Sequence, residues 1–209
     1  MIDELNQRNE TQQRNLQDYK IAESNIDEVK NEIRANNAAY NKNLNANTVK
    51  FLTVARLVPQ KNISLLLRAF QEVHLHFPQD SLTVVGNGFL KSDLMKLADS
   101  LNISEVVHFV GKTDNIEQFY EVHDVFVLSS LYEGFGLVLL ESMLNKTPWA
   151  ARFGSGARLL QAHGFTYRND NQLIEYLNNF TPSTNQIETA YEHVKQYHMI
   201  DYYLFHIFL

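Results

Sequence analysis

From Thr48 onward, short apolar runs rich in β-branched residues alternate with longer segments whose apolar residues return at helical spacing, and this alternation constrains the fold more than any other feature. Lys50 to Val54, Ser81 to Val85, Val106 to Val110, Asp124 to Leu128 and Pro148 to Ala151 read as strands. Between them, Asn62 to Phe77, Leu90 to Leu101, Asn115 to Val122 and Gly136 to Asn145 read as helices, the first ended by Pro78. Further helices are expected near Ala157 to Ala162 and Asn171 to Phe180. Strands separated by whole helices need crossover connections, which make neighbouring strands parallel and cover both faces of the sheet. The expected fold class is therefore α/β, with a doubly wound, mostly parallel sheet. Such sheets bind ligands beyond the carboxyl ends of their strands, which directs attention to the loops after Val54, Val85, Val110 and Leu128.

Composition changes near Asn47. The stretch before it is rich in Asn, Gln and mixed charge and has no Gly or Pro. Ile26, Val29 and Ile33 recur at helical spacing behind Asn25, with Glu28 completing a capping pattern, so a weak amphipathic helix is expected there. Residues 36–47 read as a solvated linker, because Asn competes with helical backbone bonds and little apolar area is offered. The chain thus divides into a polar, Asn/Gln-rich helical extension and linker over 1–48 and a folded domain over 49–209. A formal charge of −6 gives no general attraction to phosphate polymers, so nucleic acid is not an expected partner and any anion site must be local. The absence of cysteine excludes disulfide frameworks, thiolate zinc sites and cysteine nucleophiles, and agrees with a cytoplasmic location. No uncharged apolar run approaches the roughly 18 residues of a transmembrane segment, and the acidic N-terminus does not read as a secretion signal.

Two segments invite a chemical reading. In the loop Ala55 to Asn62, Lys61 falls at the expected helix start, where the macrodipole disfavours a cation and welcomes an anion. Arg56, at the strand end, faces the same crevice. Two cations beside a positive helix terminus are reconciled if a polyanion such as a diphosphate bridges them; a pair of solvated surface cations is the plainer alternative.

The second segment is Leu131 to Met143. Gly134 and Gly136 flank a helix start, where small residues let a ligand approach free backbone N–H groups. The apolar stripe of that helix is expected to hold Leu137, Leu140, Glu141 and Leu144, which puts one carboxylate among leucines. A buried carboxylate without donors costs several kcal/mol or takes up a proton, so Glu141 is expected to find donors in the protein or in a ligand. It lies roughly 7.5 Å along the axis from the helix start, and Glu133 lies just before that start, so the two bracket an anion-binding terminus. A sugar nucleotide carries hydroxyls on both sides of a diphosphate and would satisfy all three elements. A capping Glu133 with a rim-exposed Glu141 is the alternative.

These segments, in this order, resemble the donor-binding half of the family-four retaining glycosyltransferases, which have the GT-B fold. The resemblance rests on Arg56-Leu57 with Lys61 four residues after Leu57, and on Glu133 followed eight residues later by Glu141 around Gly134-Phe135-Gly136-Leu137. It extends from about Val49 to Asn145 and includes Val84-Val85-Gly86-Asn87-Gly88, Val107-His108-Phe109-Val110-Gly111 and Val125-Phe126-Val127-Leu128-Ser129-Ser130. It implies a Rossmann-like half of a GT-B fold behind a helical N-terminal extension, and a hexosyltransferase-type enzyme of polysaccharide or glycoconjugate biosynthesis. Arg56 and Lys61 would hold the donor diphosphate, assisted by backbone amides of Phe135, Gly136 and Leu137 where Gly134 leaves room. Glu133 would contact the sugar hydroxyls, Glu141 the ribose, and the main chain around Phe109 and Val110 the base. Glu133, Arg56 and Lys61 are the implied catalytic groups, acting on a UDP-linked sugar with retention, with no metal or other cofactor.

The absence of an Asp-x-Asp pair agrees with metal-free chemistry, and the eight histidines show no clear ligand spacing. The sequence departs from the family pattern at Ala55, where Gly is usual, and at Phe153 to Leu159, where Arg158 replaces an acid. The 48 residues before the domain are too few and too polar for the acceptor domain of a GT-B enzyme. A partner chain supplying that domain, with possible peripheral membrane association through it, is one expectation; a non-catalytic sugar-nucleotide-binding accessory subunit or an inactive fragment is the rival. The stretch Ile187 to Leu209, with Tyr191, Tyr197, Tyr202, Tyr203, Phe205 and Phe208, has a helical period. It is expected to pack on its own domain, the alternative being an exposed patch for self-association or a partner.

Overall fold

The computed structural model describes residues 48–134 and 136–197; the expected extension over 1–47, Phe135 and the end of the aromatic tail lie outside the described residues. Six strands form one sheet: β1 (Lys50–Val54), β2 (Ser81–Val85), β3 (Val107–Gly111), β4 (Val125–Leu128), β5 (Trp149–Arg152) and β6 (Phe165–Tyr167). Their order is β3-β2-β1-β4-β5-β6 and every pairing is parallel. The doubly wound parallel sheet read from the sequence is therefore present. The connecting helices are α1 (Ile63–His76), α2 (Lys91–Ser100), α3 (Glu117–Val122), α4 (Leu137–Leu144), α5 (Ser155–Leu160), α6 (Asp170–Asn178) and α7 (Thr184–Tyr197).

Side chains alternate across each strand, so adjacent residues feed different cores. Phe51, Val125 and Val127 join α1, α2 and α6 residues such as Leu67, Phe70, Leu94, Leu173 and Leu177 on one face. Leu52, Phe126 and Leu128 join Leu139, Met143 and Trp149 on the other, together with Ala190 and Val194 of α7. The described part of the C-terminal stretch thus packs on its own domain, reinforced by an ion pair of 2.7 Å between Lys146 Nζ and Glu188 Oε1. Residues 198–209 lie outside the described residues.

Several boundaries differ from expectation. The sequence reading has no counterpart of β6, a three-residue strand too short to show a period. The helix expected near Ala157 starts at Ser155 and passes into a 3₁₀ turn over Gln161–His163. The last helix starts at Thr184 rather than Ile187.

The loops after β1 and β2 are sewn together. The Leu57 amide donates to Asn87 O at 2.9 Å, and the Leu90 amide donates to Leu57 O at 3.2 Å. Gly86 makes this approach possible: its φ is +137°, and a Cβ there would collide with the Ala55 carbonyl oxygen. Gly86→Ala is accordingly expected to cost about 2–4 kcal/mol, through backbone strain and the collision. Gly134, with nothing within 4 Å of a built Cβ, should tolerate alanine with a change within about 0.5 kcal/mol. Thermal denaturation of the two variants checks this; equal melting temperatures would contradict it.

Candidate functional site

Strand order changes direction between β1 and β4, which are neighbours in the sheet although two strands separate them in sequence. Connections leaving their carboxyl ends diverge and open a crevice there. The two loops that frame it are joined by four polar links. The Leu131 amide donates to Gln60 O at 2.9 Å, Gln60 Nε2 donates to Tyr132 O at 3.0 Å, Ser129 Oγ donates to Lys61 O at 2.8 Å, and Lys61 Nζ donates to Glu133 Oε1 at 2.5 Å. The side chains of that last pair are only 14% and 18% exposed.

Lys61 does not occupy the first turn of a helix, contrary to expectation. Pro59–Lys61 forms a single 3₁₀ turn and Asn62 adopts a left-handed conformation with φ of 49°, so α1 begins only at Ile63. Lys61 is offset by Glu133 instead of opposing a dipole. An ammonium has three donors, so the contact with Glu133 leaves Lys61 able to donate to a further anion. Glu133 is not a helix cap: the N-cap of α4 is Gly136, at φ 77° and ψ 48°, with no side chain capping the terminus. Arg56 is exposed on the loop after β1, one of the two that frame the crevice, and among the described residues its side chain makes no hydrogen bond or ion pair.

Helix α4 is turned differently from the expected stripe. Leu137 is 50% exposed, while Leu139, Leu140, Ser142 and Met143 are buried. The left-handed Gly136 sets the entry angle, and the Leu139 amide bonds back to Gly136 O at 2.8 Å. Leu137 and Val138 supply the terminal amides that have no carbonyl one turn earlier in the helix.

Glu141 is half-buried and finds its donor in the protein. The hydroxyl of Tyr120, on α3, lies 3.2 Å from Glu141 Oε2 and 3.3 Å from Val138 O, so its one proton is shared between two acceptors. Tyr120 is in turn fixed by an edge-on contact with Phe126 at 5.5 Å and by Thr147 Oγ1, which donates to Tyr120 O at 2.9 Å. Ser142 Oγ closes the circuit by donating to Thr147 O at 2.6 Å. Burial raises the Glu141 pKa, partly offset by the tyrosine hydrogen bond, and burial and the neighbouring Glu141 push the phenol upward.

Phe109 and Val110 lie in the second half of β3, two strands from β1, next to Gly111, whose carbonyl accepts from the Gly86 amide at 2.7 Å. Phe109 is half-buried and Val110 is 46% exposed. Sequence reading missed Gln60, Ser129, Tyr120, Ser130 and Arg152. The last two line a solvent-open cleft of about 250 Å³ together with Glu133 and Gly154. Gln60, Ser129 and Ser130 lie inside segments the sequence singles out, but nothing in them marks these side chains; Tyr120 and Arg152 lie in no motif and reach the site only through the sheet order.

The sequence profile of the family described as glycosyl transferases group 1 matches residues 35–201. Among curated relatives, a glycosyltransferase of Methanocaldococcus jannaschii is 31% identical over 107 residues, which is 51% of this chain and 26% of that protein. The chain spans about a quarter to a third of the length of the curated relatives it matches. Among solved structures, Anabaena HepE in complex with UDP and glucose is 23% identical with a TM-score of 0.65, over 78% of this chain and 48% of that one. The C-terminal domain of LpcC, a glycosyl transferase group 1 family protein of Francisella tularensis, is 19% identical with a TM-score of 0.63, over 71% of this chain and 85% of that one. At these identities the structural likeness establishes the fold.

The Glu141 environment has a consequence for stability. Its folded pKa lies above the ordinary 4.5, so the folded state holds the proton more tightly than the unfolded chain. Glu141 therefore contributes favourably below about pH 4.5, and that contribution is lost as pH rises through the folded pKa. Glu141→Gln keeps an acceptor for Tyr120 without the charge. It should match or exceed the parent in melting temperature at pH 7, with the difference shrinking on acidification. A glutamine variant clearly less stable at pH 7 would contradict this.

Proposed function

This chain belongs to the group 1 glycosyl transferases, and from that premise we propose that its domain binds a nucleotide-activated sugar, UDP-linked, and presents it for retaining glycosyl transfer. The acceptor is held by a separate domain. The observation that carries the reading is the Lys61–Glu133 ion pair, which joins the loops after β1 and β4 at the point where strand order changes direction, three residues before the uncapped start of α4. HepE, which shares the fold, was solved with UDP and glucose, which supports UDP as the nucleotide.

In this reading the diphosphate lies against Arg56, Lys61 and the amides of Phe135, Gly136 and Leu137, with Gly134 leaving room for its approach. Glu133, steered by Lys61, accepts hydrogen bonds from hydroxyls of the sugar. Glu141, steered by Tyr120, accepts from the ribose, and the main chain at Phe109 and Val110 frames the base. Departure of the nucleoside diphosphate builds negative charge on the leaving oxygen. Fixed cations and helix amides stabilise that charge without reorganising, which makes the transfer independent of a metal ion. Catalysis rests on positioning as well, because the Lys61–Glu133 contact holds the sugar-facing carboxylate before donor arrives.

The chain follows its relatives over only part of their length, so transfer itself depends on where the acceptor sits. Among the described residues no helix is long and apolar enough to cross a membrane. The protein is placed in the cytoplasm, where nucleotide sugars are supplied, with any approach to a membrane made through a partner.

Thermal denaturation with UDP, GDP and ADP tests the donor reading. Ligand at about 100 times its Kd should add about 2.7 kcal/mol, a rise of roughly 5–10 °C for a domain of this size. UDP is expected to give the largest rise, EDTA to leave it unchanged, and Arg56→Ala to reduce it. No response to any nucleotide at millimolar concentration would remove the proposal, and a response abolished by EDTA would remove its metal-free form.

A further inference from the structure

A cleft runs from Glu133 to the carboxyl end of β5. Arg152 ends β5, is half-buried and lines this cleft together with Glu133, Ser130, Tyr132 and Gly154. Among the described residues no carboxylate forms an ion pair with it. Glu133, the acid of this cleft, is engaged by Lys61. The charge of Arg152 is felt by the Tyr167 phenol, but that group is buried and neutral and serves as no counterion. A guanidinium keeps its charge in proteins, so Arg152 offers its donors to an anion that enters the cleft. Beside it, Ser130 is 4% exposed and its Oγ has no hydrogen-bond partner. Two polar groups without partners therefore line one cleft.

Sheet order indicates which part of a donor would reach them. β5 lies beyond β4, two strands from β1, or roughly 10 Å from the strand that carries Arg56 and Lys61, at about 4.8 Å per strand. A diphosphate anchored in the crevice between β1 and β4 leaves the sugar to extend over β5. The planar fork of an arginine matches the two oxygens of a carboxylate. Neutralisation of Glu133 by Lys61 lowers the repulsion that an acidic sugar would meet there.

We propose that Arg152 and Ser130 receive a carboxylate carried by the donor sugar, so that the substrate class is a nucleotide-activated uronic acid or another acidic sugar. This rests on the donor-site reading above and narrows it.

Titration calorimetry with UDP, UDP-glucose and UDP-glucuronate tests the narrowing, or the equivalent neutral and carboxylate pair on whichever nucleotide binds. The parent chain should bind the carboxylate sugar about tenfold or more tightly than the neutral one, the range expected for a charged hydrogen-bonded pair. Arg152→Ala should bring that ratio close to one. Equal affinities in the parent chain overturn the inference, as does a ratio untouched by Arg152→Ala, which would put the arginine on the diphosphate. Should that variant fail to fold, the comparison of the two sugars on the parent chain decides alone. UDP binding without a carboxylate preference sinks only this inference, whereas no binding by any nucleotide sinks the donor-site reading with it.

Discussion

Parallel strands cannot be joined by hairpins, so every connection in this domain must cross a face of the sheet before the next strand begins. With the order β3-β2-β1-β4-β5-β6, successive strands step outward from β1 in one direction and then, from β4, in the other. The two halves of the winding meet at β1 and β4. Loops leaving those strands part from one another, and the crevice between them follows from topology before any side chain is chosen. What the side chains add is a set of cross-links. Gln60, Ser129, Lys61 and Glu133 join the two loops with hydrogen bonds and one ion pair, all of them made within the protein itself.

The electrostatics of the site are local, as a chain of formal charge −6 requires. The Lys61–Glu133 pair is largely shielded from water, so removing Glu133 would leave the lysine's charge without this counterion, at a cost of about 3 kcal/mol. Their arrangement also serves the proposed chemistry, because the lysine retains donors for a phosphate while its partner carboxylate is aimed at the sugar. A second carboxylate, Glu141, is held by a circuit running through Tyr120, Thr147 and Ser142 back to α4. Its raised pKa records the cost of burial. Holding a partly desolvated carboxylate on the helix that starts in the crevice is a cost to folding that a ribose hydroxyl can offset on binding.

Much of this was legible in the residues. Apolar runs separated by helical periods gave the parallel sheet, because period and length are local properties of the chain. Lys61 and Glu133, singled out on spacing, do meet. The errors have physical sources. The 3₁₀ turn at Pro59–Lys61 and the left-handed Asn62 leave no periodic mark in the residues, so spacing alone puts Lys61 at the helix start. The stripe on α4 was drawn through Leu137 because an almost wholly apolar helix carries no directional information. There the choice of face falls to Gly136 and to tertiary packing by Leu139 and Met143. β6 was missed because three residues are too few to show a pattern. Tyr120 and Arg152 belong to the site only through strand order, which is a property of the whole sheet and not of any segment.

A crystal structure of the chain with UDP, or with the nucleotide it prefers, tests the central claim most directly. The account predicts diphosphate oxygens within hydrogen-bond distance of Arg56 and the amides at the start of α4, ribose hydroxyls on Glu141, and the base beside Phe109 and Val110. Nucleotide bound at any other edge of the sheet, or a diphosphate in the crevice out of reach of Arg56, Lys61 and the α4 amides alike, would contradict it.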